Sequence, residues 1–297
     1  MSGAGKPSAD YAPATIGAVG LSGSLDGFGL AFAPGPAISP DTTTDDYAHD
    51  QASTNVRKSL EYLRPILDRV GARTVLDVGC GVGVMVRTLL EHGYDAYGTD
   101  FPALVRFWRQ AQMPTDRMFC VDAGMFRLPF ADGAFDLVYT LGVIEHVGTT
   151  DGHADRRADC HRVRQDWLRE VFRVVRPGGY ALIGGPNRGF PVDVAHGSDS
   201  RAAWWERTLS SLAGATVHRV WGENFLWSYR DVDRYLSEID HETQALSVSG
   251  YLGFSRVPAI VRPLAEAYVR HLPRRLLATG FNPWMMALVR KPDEDRQ

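Results

Sequence analysis

The sequence predicts an α/β fold: a mostly parallel sheet with helices on both faces. Two observations carry this. Short apolar runs alternate with helix-period segments from residue 70 to 190, a pattern that covers a parallel sheet on both sides. The first strand also ends in the glycine turn "VLDVGCGVG" (75–83), whose glycines permit close approach to the backbone.

The elements follow in order. Residues 1–45 are rich in Gly, Ala, Pro, Ser, Thr and Asp and have little periodicity, so a mobile tail is expected. The remaining 46–297 forms the functional domain. Val56, Leu60, Leu63 and Leu67 recur at helical spacing, with Pro65 expected to kink that helix. "TVLDV" is the first strand and "VMVRTLLEH" a helix stopped by Gly93. "YDAYGT" leads into Asp100, "FPALVRFWRQA" is helical, "RMFCV" ends at Asp122 and "FDLVYTL" at Leu141. A helix through Val163, Trp167 and Val171 precedes "RPGG" and the fifth strand "YALIGG".

Residues 186–227 are long for a connection and are expected to elaborate the ligand crevice. They hold Trp204, Trp205, Trp221 and Trp227, for which packing is favoured over an aromatic acceptor pocket. Ser228 with Asp231 opens a capped helix. "QALSVSG" is a sixth strand, 256–278 a helical cap and "NPWMMALV" a seventh strand. In the cap, Pro258, Pro263 and Pro273 interrupt the amphipathic face, which favours a soluble cap over a membrane-surface helix. Peripheral membrane contact stays open there.

A composition of 44% hydrophobic and 23% charged residues is that of a soluble globular protein. The net charge of −3 gives no pull towards nucleic acid. Cys80, Cys120 and Cys160 are too scattered for a disulfide framework. With no signal-peptide pattern or membrane-length apolar run, a cytoplasmic protein without membrane insertion is expected. The oligomeric state is not legible.

The glycine spacing disfavours the common alternatives. A dinucleotide fingerprint needs a glycine where Val84 stands, and no Lys-Ser or Lys-Thr follows for a P-loop. Asp77 precedes the glycines and Asp100 ends the next strand, where an acid accepts hydrogen bonds from ribose hydroxyls.

With "VDAGMFRLPFADGAFDLVYTLGVIEHV" and "REVFRVVRPGGYALI" in place, the stretch 70–190 resembles class I S-adenosylmethionine-dependent methyltransferases. It is most similar to the small-molecule branch of ubiquinone-biosynthesis-like, sugar and natural-product enzymes. The resemblance implies a Rossmann-like sheet of seven strands, the last antiparallel, with S-adenosylmethionine as cofactor and a small-molecule acceptor. It assigns Gly79, Cys80, Gly81 and Gly83 to the methionine part and Asp77 to the loop and the amino group. It also gives Asp100 to the ribose, Asp122 and Ala123 to the adenine, Phe101 to packing on that ring and Leu141 to the methionine end.

An O-methyl transfer releases a proton, so a base is expected beside the acceptor. His146 follows the fourth strand, and Asp193 and His196 follow the fifth; each is a candidate for catalysis or for a structural role. Glu145 reads as a helix-start residue. Tyr47 and His49 fall where an N-terminal lid closes over the cofactor in similar enzymes. No metal ligands are assigned, because His153, Asp159, Cys160 and His161 have no recognised metal spacing. Methylation at carbon or nitrogen is the nearest alternative, and a non-catalytic nucleoside-binding protein is the alternative from another class.

Overall fold

A computed structural model of the chain describes residues 54–121, 127–150, 155–194, 196–213, 215–254 and 257–293. The expectations for residues 1–45, Tyr47, His49, Asp122, Ala123 and His153 lie outside the described residues. The seven-stranded sheet is built from β1 (Thr74–Val78), β2 (Asp95–Asp100), β3 (Met118–Cys120), β4 (Phe135–Leu141), β5 (Val175–Pro186), β8 (Glu242–Ala245) and β9 (Trp284–Arg290). Their order is β3-β2-β1-β4-β5-β9-β8, and β6 (Val192–Asp193) pairs with β7 (Thr216–Val217) in a separate ribbon. The strands from β3 to β5 run parallel, and β9 runs against both its neighbours. A mostly parallel sheet with its last strand antiparallel is therefore observed.

The helices are α1 (Arg64–Val70), α2 (Val84–Glu91), α3 (Val105–Gln110), α4 (Cys160–Arg173), α5 (Trp204–Ala213), α6 (Tyr229–Tyr235) and α7 (Arg262–His271). Two apolar clusters cover the two sheet faces. One joins Leu76, Val138 and Ile183 to Leu168 and Phe172 of α4. The other joins Val75, Leu137 and Leu182 to Leu67, Val86 and Leu89 of α1 and α2. Alternate residues of each strand thus face opposite clusters, as the pleat requires.

Several elements differ from the sequence reading. Helical turns run unbroken from 54 to 70, but the stretch just before Pro65, Lys58–Leu63, winds as a π-helix rather than an α-helix. "QALSVSG" contributes only its first two residues to β8, which starts earlier. Ser228 and Asp231 form the expected reciprocal cap of α6, with the Ser228 amide donating to the Asp231 carboxylate at 2.7 Å.

The segments that carry the family resemblance are largely clamps. Arg173 donates to the Leu128 and Phe130 carbonyls and pairs with Glu170 (2.7 Å) and Asp132 (2.6 Å). Glu170 in turn accepts from the Leu128 amide at 2.7 Å. The "LPFAD" turn is thereby fastened to the end of α4. Asp136 accepts from the Thr74 and Arg73 amides at 2.8 Å and from Arg176 Nε at 2.6 Å. This joins the entrances of β1, β4 and β5 at one edge of the sheet.

Candidate active site

The opposite edge holds the site. The strand order reverses between β1 and β4, and in doubly wound sheets ligands bind outside the carboxyl ends at that point. A cavity of about 2070 Å³ opens there, lined among others by Asp77, Gly79, Leu141, His146, Asp193 and His196. Ligand pockets are typically about 300–1,000 Å³, so there is room for two molecules side by side.

The glycine-loop side is organised by backbone hydrogen bonds. Gly79, Gly81 and Gly83 all have φ between +57° and +85°, the left-handed region that glycine enters without steric cost. A Cβ at Gly79 would stand 2.3 Å from Val143 Cγ2, and one at Gly83 would stand 3.0 Å from Met118 Cε. Gly83 thus serves helix–sheet packing. The Gly79 and Cys80 amides donate to the Thr99 carbonyl, and the Gly81 amide donates to Asp100 Oδ2 at 2.6 Å. The other Asp100 oxygen accepts from the Phe101 amide at 2.7 Å, and the Phe101 ring is exposed. Trp108 of α3, absent from the sequence reading, donates its Nε1–H to the Gly81 carbonyl at 2.8 Å.

Burial raises the Asp77 carboxyl well above its ordinary value, the Asp100 charge adds to this, and the Tyr139 hydroxyl opposes it. Burial also raises Asp100, against the pull of its two backbone donors. Among the described residues neither acid has an ion-pair partner, so this floor of the cavity suits a cationic ligand. The Cys80 thiol is pushed well above its ordinary value by burial and then by Asp100 and Asp77, which leaves it a poor nucleophile.

The histidine side is assembled from side chains. The 3₁₀ turn Ile144–His146 follows β4. Residues Asp193 and His196 arrive from the segment after β5. His196 Nδ1 lies 2.8 Å from Asp193 Oδ2, and Nε2 lies 3.4 Å from Glu145 Oε1. The His146 and His196 rings meet edge to face at 5.5 Å, and Phe225 closes on His196 at 5.8 Å. Burial alone would lower the His196 pKa, but the Asp193 and Glu145 carboxylates overcome it and hold it up at about 9. At neutral pH His196 is therefore an imidazolium.

Glu145 stands in the first turn of that 3₁₀ helix, as read, and it also lines the cavity. It is buried, and its Oε2 has no hydrogen-bond partner among the described residues. A Cβ at Gly185 would lie 3.1 Å from that oxygen, so the second glycine of "YALIGG" makes room for it. Glu145, His146 and His196 also bring one ligand-type atom each within 4.8 Å of one another. Such a set could hold a metal ion, but it would have to displace the proton from His196. By contrast, Asp159 pairs with Arg157 and Arg162, and His161 bonds Tyr235 and Glu223.

Of the four tryptophans between 204 and 227, none lines the cavity; Trp227 is fully buried, and Trp204 and Trp221 are exposed. Trp284, at the start of β9, does line it. Sequence reading could have reached Trp284, since its strand neighbours the fifth.

A doubly wound sheet with a glycine loop and two acids at its switch point defines a nucleoside-binding α/β protein. Comparison with known proteins narrows the class. A methyltransferase domain family matches residues 76–183. The chain is 31% identical over 225 residues to an uncharacterized methyltransferase of a Mycobacterium species, covering 74% of this chain and 73% of that protein. It is 30% identical to a malonyl-[acyl-carrier protein] O-methyltransferase of Pseudescherichia vulneris, over 69% of this chain and 64% of that one. It is 28% identical to a probable S-adenosylmethionine-dependent methyltransferase of Mycolicibacterium smegmatis, over 44% and 45%. The chain spans less than half the length of the first curated relatives it matches. It belongs to the class I S-adenosylmethionine-dependent methyltransferases, and S-adenosylmethionine is its cofactor.

Proposed function

We propose that the protein methylates a small-molecule acceptor at oxygen, with His146 as general base and His196, Asp193 and Glu145 positioned around it. The observation that carries this reading is one cavity lined by both Asp77 and Gly79 on the glycine-loop side and His146, Asp193 and His196 on the other. S-adenosylmethionine, when bound, supplies an electrophilic methyl on a sulfonium. Asp77 would hold its cationic amino group, the glycine loop its methionine part, and Asp100 its ribose. Asp122 and Ala123 would serve the adenine, Phe101 would cover that ring, and Leu141 would close the methionine end next to Cys80.

The acceptor hydroxyl loses its proton as its oxygen takes the methyl. His196 cannot receive that proton while its two nitrogens both carry hydrogen and face Asp193 and Glu145. His146, on the same cavity wall, receives it. The proton that His146 takes up arrives beside the acidic side chains of Glu145 and Asp193, which favour a positive charge there. The segment 186–227 contributes the acceptor side through Asp193 and His196. A natural-product or sugar-containing acceptor in the cytoplasm, rather than nucleic acid, fits the net charge of −3.

A second reading has one observation in its favour. The unpartnered Glu145 Oε2 could hold an acceptor ammonium, which would make nitrogen the methylated atom. Incubation with isotope-labelled S-adenosylmethionine and host extract, followed by mass spectrometry of the labelled product, separates the two. An O-methyl product supports the proposal, an N-methyl product supports the second reading, and absence of any transfer overturns both.

A further inference from the structure

Helix α7 and the residues flanking it turn apolar side chains outward beside the cavity mouth. Ile260 is 90% exposed, Leu264 72% and Phe281 58%. The Tyr268 hydroxyl donates to the Phe281 carbonyl at 2.5 Å, which holds Phe281 against the helix. Leu264, Tyr268 and Phe281 also line the cavity, so the exposed strip continues into it. Monomeric soluble proteins seldom leave such a strip uncovered without a binding role.

The charge beside this strip indicates what covers it. Although the chain is net negative, residues 262–275 hold four arginines and one glutamate. Arg270, Arg274 and Arg275 are exposed and form no ion pair among the described residues. The prolines do not interrupt the helix: Pro263 falls in its first turn, where proline is tolerated, and Pro273 lies beyond its end. The amphipathic face is thus continuous through α7. Apolar side chains next to unpaired cations are the pattern of a helix lying in a bilayer interface.

We propose that α7 and the adjoining Ile260 and Phe281 dock on an anionic phospholipid bilayer, turning the cavity mouth towards the headgroups. This claim stands on α7 itself and not on the methyl-transfer reading. Co-sedimentation of the full chain with phosphatidylcholine vesicles, with and without about 30% phosphatidylglycerol, tests it. Binding is expected to the anionic vesicles alone and is expected to weaken in high salt. Ile260→Glu, and separately the pair Arg274→Glu and Arg275→Glu, should each weaken binding about tenfold. Both variants change exposed side chains, so their melting temperature and S-adenosylhomocysteine affinity in solution should match the parent. Retention of both variants on the vesicles, or no binding by the parent, would overturn the proposal. So would a dimer in solution that Ile260→Glu dissolves, since a second copy would then cover the strip. Failure of the parent to bind S-adenosylhomocysteine would count against the methyl-transfer reading and leave the vesicle result standing.

Discussion

The two walls of the cavity are built in different ways. On the glycine-loop side, residues 77–83 and Asp100 are held by the backbone: three left-handed glycines, amides on Thr99 and Asp100, and the Trp108 indole on a carbonyl. On the histidine side, Glu145 and His146 meet Asp193 and His196 through side chains, by ion pairs and a ring contact, with almost fifty residues between the two pairs. A wall whose shape is set by backbone keeps that shape when one of its side chains is changed. One made of coupled charges is sensitive to pH and to substitution, which is where tuning for a particular acceptor is available.

The largest expected effect sharpens that contrast. His146→Ala should reduce turnover by about 10²–10⁴-fold, the usual scale for losing a positioned base, and leave S-adenosylhomocysteine affinity almost unchanged. Turnover within a few-fold of the parent, with only an earlier melt, would make His146 structural.

Next comes the charge cluster. The folded His196 pKa of about 9 lies above the ordinary 6.5, so its protonation stabilises the fold fully below pH 6.5. That stabilisation is lost as pH rises towards 9. The scale is about 3 kcal/mol. Urea unfolding of the parent and of His196→Gln at several pH values reads it directly. A difference between them that does not vary with pH would break the contrast between the walls.

The glycine-loop side should respond to neutralisation instead. Asp77→Asn removes a carboxyl that burial makes costly to ionise, so the ligand-free protein should melt higher. It should also bind S-adenosylhomocysteine roughly 10–100-fold more weakly, on the scale of one hydrogen bond to a charged group. Calorimetry and thermal melts check the two halves, and a lower melt with unchanged affinity would make Asp77 a scaffold residue.

The smallest effect is at the loop's indole support. Trp108→Phe keeps the ring packing but loses the bond to Gly81 and should cost about 1 kcal/mol. That appears as a few-fold loss of ligand affinity. A loss beyond a hundredfold would mean that the loop depends on Trp108 far more than one neutral hydrogen bond allows.

How much of this was legible in the sequence follows the same division. The sheet, its order of elements and the glycine turn are local patterns of period and spacing, and they stand as read. The "QALSVSG" strand was misplaced because apolar alternation there continues into a turn beyond β8. Glu145 is legible as a helix-start residue, but its place in the cavity depends on His196, from another segment, and on a space-making glycine at 185 that has no signature of its own. Trp108 was passed over because an indole on an amphipathic helix ordinarily signifies core. His146, Asp193 and His196 were readable as separate candidates, whereas their shared charge state depends on a distance that no spacing encodes.

The ion pairs around Asp136, Arg173 and Arg176 lie at the strand entrances, with the length of the strands between them and the cavity. The clamps that fasten the strand entrances are thereby kept on the edge away from the cavity. Substitution at the cavity edge can redirect the acceptor without loosening the clamps, and the clamps can stay fixed through many changes of acceptor. A newly acquired acceptor should leave its trace in a handful of side chains between 145 and 196, in a protein whose entrance clamps are unchanged.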